Sequence, residues 1–213
     1  MQAPVKLSVG EVLQEGVAFG LKNALSIIGA ILLWLLTCWI PYLNAGTTIA
    51  LNSIPLALSK GKVISPTFIF ESKYRKYMGE YFSLMGLMLI AIIPAFTFLI
   101  IPAIIISISW SLSLYLLLDK GINPSEAMMQ SNKATYGHKL NIFLISLILT
   151  VALVILMVIF KMLGVVGSIL LFITMICFLV ISMGCQASIY KKLVLDRDLD
   201  SIEINDTKEP LFD

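Results

Sequence analysis

Residues 123–143, NPSEAMMQSNKATYGHKLNIF, combine a polar helix-start signal with the beginning of a long apolar segment. Asn123 and Pro124 suit the N-cap and first position of a helix, because asparagine accepts a backbone N–H and proline needs no donor there. A similar arrangement begins at Ser8 (SVGEVLQEGVAFGLKNALSIIG) and at Ser65 (SPTFIFESKYRKYMGEYFSLMG). We therefore predict three copies of one unit, an amphipathic interfacial helix followed by a membrane hairpin.

The composition is typical of a helical membrane protein. Apolar residues make up 59% of the 213 residues and charged residues only 13%, whereas about a quarter of the residues in soluble domains are charged. Residues 81–118 and 141–160 contain no charged side chain. The net charge of +2 is too small to indicate a nucleic-acid partner. We therefore predict an all-α, multi-pass protein of the cell membrane.

The apolar runs predict six membrane spans. The first run begins only at Ala24, behind a mixed segment, so we expect a retained span rather than a cleaved signal peptide. Pro94 and Pro102 bracket the turn predicted near residues 97–102. The predicted spans are residues 24–40 and 45–58 around a turn at 41–44, two spans within 81–118, and residues 141–160 and 165–190 around a turn at 161–164.

Residues 45–58 are short and partly polar, and three arrangements are open for them: crossing the membrane, re-entering it, or lying on its surface. The charge distribution favours a return to the starting side. With that return, every basic residue of the chain except Lys161 lies on one side, and positively charged loops stay in the cytoplasm. We therefore predict six spans with the N- and C-termini both cytoplasmic.

The three unit starts are 57 and 58 residues apart, which indicates an internal repeat. Because each unit enters and leaves on the same side, the copies would be related about the membrane normal, in a pseudo-threefold arrangement. The prediction is one membrane domain, residues 1–192, followed by an acidic cytoplasmic tail, residues 193–213. The repeat units within that domain are predicted at about residues 8–60, 65–119 and 123–190.

The first two unit starts carry further local signals. Ser8 with Glu11 three residues later fits a capping box, and Gly16 with Gly20 predicts close packing of another element. In the second unit, four aromatic side chains at helical spacing predict one amphipathic helix: Phe70, Tyr74, Tyr77 and Tyr81.

The third unit start resembles a known family. The pattern E-A-L-x-x-S-x-x-x-T-x-G precedes the last hairpin in a broad bacterial membrane family, which includes the membrane domain fused to some glycerophosphodiester phosphodiesterases. The matching residues are Glu126, Ala127, Met128, Ser131, Thr135, Gly137 and Phe143, together with an earlier Gly-Lys…Ser-Pro junction at Gly61, Lys62, Ser65 and Pro66. The resemblance covers most of the chain and implies a six-span membrane fold, but no phosphodiesterase activity. We expect Glu126, Ser131 and Thr135 to cap and pack helices.

Two sets of polar residues fall within the predicted spans. Asn44, Thr48 and Asn52 share one face of the second span; they either line a polar cavity or lipid-binding site, or make inter-helix hydrogen bonds. We expect Gln186 to make a packing hydrogen bond. Small side chains at alternate positions of the fourth span predict close helix packing, with a hydroxyl-lined path as the alternative: Ser107, Ser109, Ser111 and Ser113.

The sequence offers little reactive chemistry. His138 is the only histidine, so a zinc site or histidine-based catalysis lacks partners. The segment from Asp196 starts like a calcium loop, but Ser201 and Thr207 replace the required glycine and glutamate. Three cysteines lie in apolar runs, where free cysteine acts as a small packing residue: Cys38, Cys177 and Cys185. We predict no metal, no cofactor and no enzymatic activity.

These observations predict a non-enzymatic integral membrane protein that contacts membrane lipids. It would act as a scaffold or as the accessory subunit of a membrane complex, with a protein partner or a second copy of itself. The alternative is a pore or uncoupled transporter, formed by one chain or by a homo-oligomer, with Asn44, Thr48 and Asn52 lining the path. The predicted spans hold no Asp, Glu, Lys, Arg or His side chain, which disfavours ion-coupled transport.

Overall fold

The structure, a computed structural model, describes residues 7–197 of the 213, and these residues form helices and connections with no strand. Most of the predicted acidic tail lies outside the described residues. The helices are α1 (Val9–Lys22), α2 (Ala24–Thr37), α3 (Pro41–Asn52), α4 (Ile54–Ser59), α5 (Lys73–Lys76), α6 (Met78–Phe98), α7 (Ile100–Ser109), α8 (Ser113–Lys120), α9 (Pro124–Thr135), α10 (Lys139–Lys161) and α11 (Gly164–Tyr190), with a 3-10 helix at Pro66–Phe70 and a π-helical turn at Lys191–Leu195.

The second and third hairpins are long enough to cross a membrane. Four helical stretches in the described chain pass that test by length and apolar composition: Met78–Phe98, Ile100–Lys120, Lys139–Lys161 and Gly164–Leu195. A fifth is added if α1 and α2, which meet at a bend of 67°, count as one broken span. The turns predicted near residues 97–102 and at 161–164 are confirmed: α6 gives way to α7 at the extended residue Leu99, and α11 begins at Gly164.

The first hairpin is shorter than the sequence predicts. α2 has 14 residues and α3 has 12, so they measure about 21 and 18 Å at 1.5 Å per residue, against about 30 Å of hydrocarbon. The turn predicted at 41–44 is wrong, because Pro41 begins α3 and uses its fixed φ as a helix start. Six complete spans therefore stay a prediction.

The three unit starts differ in their local structure. α1 and α9 are regular helices, but the second unit has a short 3-10 helix and the single turn α5 in place of the predicted continuous helix. The chain is non-helical at Glu71 and Ser72 and again bends at Tyr77. The prediction that the four aromatic residues lie on one amphipathic helix is therefore wrong, although Tyr74 and Tyr81 are both buried.

Helix capping follows the prediction at two of the three starts. The Asn123 side chain accepts the Glu126 N–H at 2.9 Å, and the Ser65 hydroxyl accepts the Thr67 N–H at 3.4 Å. Ser8 makes no side-chain cap bond, so the capping box is wrong there. The Glu11 carboxylate, the other half of the predicted box, lies 3.0 Å from the Lys192 ammonium, a charged partner that competes with the helix end.

Helix α11 organises the core, since it contacts α1, α2, α4 and α10. The close packing predicted for Gly16 and Gly20 is confirmed: a Cβ on Gly184 would overlap the Gly16 carbonyl oxygen, and a Cβ on Gly20 would lie 2.7 Å from the Val180 carbonyl oxygen. The two backbones are therefore in direct contact, as small residues allow in membrane helix pairs.

Packing is concentrated at one end of the bundle. We call this the packed end; it holds α1, α9, the 3-10 helix and the last turns of α4, α8 and α11, with Leu117, Ile145 and Tyr190 fully buried. The opposite end, the turn end, carries the connections of the hairpins. Apolar side chains are exposed there, with Phe98 82% and Met162 87% exposed.

Candidate functional site

A cavity of about 550 Å³ opens at the packed end, between the α4–α5 connection and the last residues of α8. We call it the basic cavity; its volume falls in the range of about 300–1,000 Å³ typical of ligand sites. The floor is buried and the rim is exposed. The floor includes Ser53, Ala57, Ile64 and Tyr74, and the rim includes Lys60, Lys62, Val63, Ser65, Thr67, Glu71 and Lys73.

A helix-ending motif places Lys62 on this rim. Gly61 adopts φ +68°, a left-handed conformation that favours glycine. Its N–H donates to the Leu58 carbonyl at 2.9 Å, and the Lys62 N–H donates to the Ala57 carbonyl at 3.1 Å. This pair of bonds is a Schellman motif, which ends α4 and turns the chain across the mouth of the cavity.

Lys73 is fixed by three neighbours. Its ammonium pairs with the Glu71 carboxylate and lies 5.3 Å from the Phe68 ring centroid and 4.9 Å from that of Tyr74. The two rings pack edge to face with centroids 5.2 Å apart. Cation–π contacts of this kind hold a lysine in place on an otherwise exposed surface.

Lys60 takes part in a junction between the ends of three helices. Its ammonium pairs with the Asp119 carboxylate at the end of α8. The other Asp119 oxygen accepts a 2.8 Å hydrogen bond from the Tyr190 hydroxyl at the end of α11, and the Tyr190 ring packs on Tyr115. The last turns of α4, α8 and α11 are therefore joined by one carboxylate.

Two protonation states follow from the cavity's surroundings. Burial raises the pKa of the Tyr74 phenol above its ordinary value of 10.0, so the hydroxyl remains a hydrogen-bond donor at neutral pH. Burial alone would lower the pKa of the Lys73 ammonium, but the hydrogen bonds and charges of Glu71 and Tyr74 together outweigh this effect and raise it. Lys73 therefore carries its positive charge across the physiological range.

The predicted polar face of α3 is engaged in hydrogen bonds to neighbouring helices. The Trp34 indole donates to the Thr48 hydroxyl at 2.9 Å, and that hydroxyl donates to the Asn44 side chain at 2.9 Å. The Asn52 amide donates to the Tyr81 hydroxyl at 3.3 Å. The sequence left two interpretations open for these residues, a polar cavity or lipid-binding site and inter-helix hydrogen bonds. The structure contains the inter-helix bonds, and a ligand at these residues stays a prediction.

The serines of the fourth span lie around a break between α7 and α8. The Ser131 hydroxyl of α9 donates to the Ser109 carbonyl at 2.7 Å and accepts the Leu112 N–H at 3.2 Å, and Thr135 donates to the same carbonyl at 3.4 Å. Ser131 and Thr135 therefore satisfy backbone groups that the break leaves free. The hydroxyls of Ser107, Ser109 and Ser111 donate to backbone carbonyls of α7.

Two buried polar atoms have no hydrogen-bond partner within the described part of the chain. They are the Ser113 hydroxyl and the Gln186 side-chain oxygen. The packing hydrogen bond expected at Gln186 is therefore not made by that oxygen. Neither residue lines the basic cavity.

Two asparagines that the sequence analysis did not single out hold the unit starts in place. Buried Asn23, at the α1–α2 bend, accepts the Ile64 N–H at 3.3 Å, next to the floor of the basic cavity. Asn141 donates to the Leu7 carbonyl at 2.6 Å. The sequence does contain a signal for these two residues: each asparagine stands directly before or at the start of an apolar run, where a polar side chain commonly bonds a neighbouring element.

Comparison of the chain with family models, with curated proteins and with solved structures gives no match. The resemblance to the bacterial six-span family stays a prediction. Among residues 7–197, no group of three or more His, Cys, Asp or Glu side chains is arranged to hold a metal ion. The basic cavity therefore offers binding through lysines and hydroxyls.

Proposed function

We propose that the protein is a non-enzymatic, lipid-contacting scaffold or accessory subunit of the cell membrane. The observation that carries this proposal is the unequal packing of the bundle. The four long spans bury only 11 to 39% of their most apolar windows inside the protein. Apolar surface of that extent needs acyl chains or another membrane protein to cover it.

The charge distribution supports the orientation. We propose three hairpins that each leave and return to the cytoplasmic side, with both termini there, since all basic residues except Lys161 then share that side. This charge argument requires that α2 and α3 return; it does not require that they reach the far surface. The short first hairpin is therefore compatible with the same orientation.

The non-enzymatic part is supported by the use of the carboxylates. The Lys192 ammonium lies 3.2 Å from Glu15, which also accepts a 2.7 Å hydrogen bond from Ser188. Glu126 accepts a 3.1 Å bond from Gln130, and Asp119 is held in the junction described above. Each of these carboxylates is engaged in a contact between elements or within a helix, which is typical of a structural role.

Extraction of the protein from its membrane in mild detergent tests the proposal. We expect co-purifying phospholipid or a partner protein, and a melting temperature that falls when lipid is removed, because the turn end has few internal contacts. Protein that retains neither lipid nor partner, and that melts at the same temperature after delipidation, would contradict the proposal.

A further inference from the structure

The basic cavity lies where membrane spans begin and end. Tyr77 on its wall immediately precedes α6, and Asp119 is the penultimate residue of α8. In a membrane-spanning protein, such a position is at the level of the lipid headgroups, where tyrosine and lysine side chains concentrate.

The cavity carries an uncompensated positive charge. It contains three lysines and two carboxylates, and both carboxylates are paired, Glu71 with Lys73 and Asp119 with Lys60. Lys62 has no ion pair within residues 7–197 and stands exposed on the rim. An anion in the cavity would therefore meet one free ammonium and two others that are already held in position.

The lining of the same cavity also contains apolar side chains. They are Leu56, Leu118 and the rim residue Val63, and the Val63 side chain is 76% exposed. A phosphate ion gains nothing from such apolar surface, whereas a phospholipid places its glycerol and first acyl carbons directly beside the phosphate. The combination of free charge and apolar surface favours a lipid over a soluble phosphate.

We infer that the basic cavity binds the phosphate group of an anionic membrane lipid. Lys62 supplies the free charge. The Ser65 and Thr67 hydroxyls share one hydrogen bond at 2.9 Å, which leaves one of them to donate to the ligand beside the Tyr74 hydroxyl. This inference rests on the proposed lipid-contacting function and adds the chemical class of the ligand and the place where it binds.

The test uses the full-length protein in mild detergent, titrated with dioleoylphosphatidylglycerol and, separately, with dioleoylphosphatidylcholine. Bound lipid is counted by native mass spectrometry. We expect the wild-type protein to bind the anionic lipid more tightly. Lys62→Gln should weaken that binding about fivefold, the effect of roughly 1 kcal/mol per lysine near a membrane surface, and should leave binding of the zwitterionic lipid unchanged.

Lys76→Gln is the matched control, because Lys76 is exposed on α5 beside the cavity but does not line it. A normal affinity in this variant supports the site. Equal weakening in both variants, which would indicate general surface charge, overturns it. Millimolar inorganic phosphate is the third arm: full displacement of the anionic lipid by phosphate overturns the lipid as the ligand, and no displacement supports it.

The two proposals fail in different ways. If both lipids bind equally well to the wild-type protein, the phosphate site is lost and the lipid-contacting function stands. If neither lipid binds and the purified protein carries none, both proposals are lost.

Discussion

The first and third hairpins enter the bundle from the same end and are built differently. α10 and α11 have 23 and 27 residues, and their threonine hydroxyls bond carbonyls of their own helices, as in Thr150 and Thr174. α2 and α3 have 14 and 12 residues, and Thr48 is linked to Trp34 across the hairpin.

The difference shows that hairpins of two lengths pack in one bundle. The long hairpin is held by apolar contact near its base and leaves its turn end to the surroundings. The short hairpin is held by the Trp34–Thr48 hydrogen bond between its two helices, by the Asn52–Tyr81 bond to α6 and by contacts with the 3-10 helix. Inter-helix hydrogen bonds are useful where a hairpin has too little length for apolar contact to suffice.

Thiol labelling of the two hairpin turns gives the largest expected difference. Trp39→Cys and Met162→Cys are made without the three native cysteines, and intact cells are treated with a membrane-impermeant maleimide. We expect strong labelling at residue 162 and little at residue 39, because α2 is about 9 Å too short to reach the far surface. Both native side chains are more than 80% exposed on the protein, so burial does not protect either site.

Ser125→Cys, on the exposed face of α9, is the control and should label only after the membrane is permeabilised. Equal labelling at residues 39 and 162 in intact cells would show that the first hairpin crosses completely. Labelling of residue 125 in intact cells would instead refute the proposed orientation.

Gly184→Leu should have the next largest effect, because it separates the two units where α1 meets α11. The new side chain has no space against the Gly16 carbonyl. We expect a loss of about 3 kcal/mol in unfolding free energy, the upper range for overpacking, measured by thermal or detergent unfolding. Gly86→Leu on α6, where a Cβ meets nothing within 4 Å, is the matched control and should change stability little.

Thr48→Val probes the polar bonds of the first hairpin. The valine leaves the Trp34 N–H without its acceptor, and we expect a loss of about 1 kcal/mol, in the range measured for hydrogen bonds between membrane helices. Thr150→Val is the counterpart in the third hairpin, where the hydroxyl bonds only its own helix, and it should be close to neutral. Equal effects at the two positions would remove the distinction between the hairpins. Unfolding of the purified proteins measures both.

The smallest expected effect is a dependence on pH at the entry of the third hairpin. Burial and the nearby Arg197 guanidinium lower the pKa of His138, the N-cap of α10, below its usual 6.5. The folded protein thus binds this proton less readily than the unfolded chain, so stability is full above about pH 6.5 and declines as the pH falls. The first hairpin has Asn23 at the equivalent N-cap, which does not titrate.

We expect the melting temperature to fall between pH 7.5 and 5.5, and the slope to decrease in His138→Gln. An unchanged slope would assign the pH dependence to other groups.

The predictability of the fold also differs between the hairpins. The third was predicted closely, since residues 141–160 and 165–190 match α10 and α11 within a few residues, because a long apolar run leaves few alternatives. In the first hairpin, Pro41 is equally compatible with a turn and with the first position of a helix, and the sequence does not distinguish them. The break at Glu71 and Ser72 has no strong local signal either.

The basic cavity could be predicted only in part. The charge pattern predicts that the lysines after α4 lie in a cytoplasmic loop, but it does not predict their partners, which are distant in sequence. Asp119 is 59 residues from Lys60, and Tyr190 lies 71 residues beyond Asp119. The cavity exists because the end of α8 and the 3-10 helix leave space between them. Local patterns carry no information on such a space.

The contact between α1 and α11 has a consequence for synthesis. Glu15 and Ser188 are 173 residues apart in the chain, and at about 5–20 residues per second the ribosome needs roughly 10–30 s to make the second after the first. During that time α1 has been made and its main partner has not. An amphipathic helix can wait on the membrane surface, so the bilayer would serve as a temporary partner before α11 arrives to complete assembly.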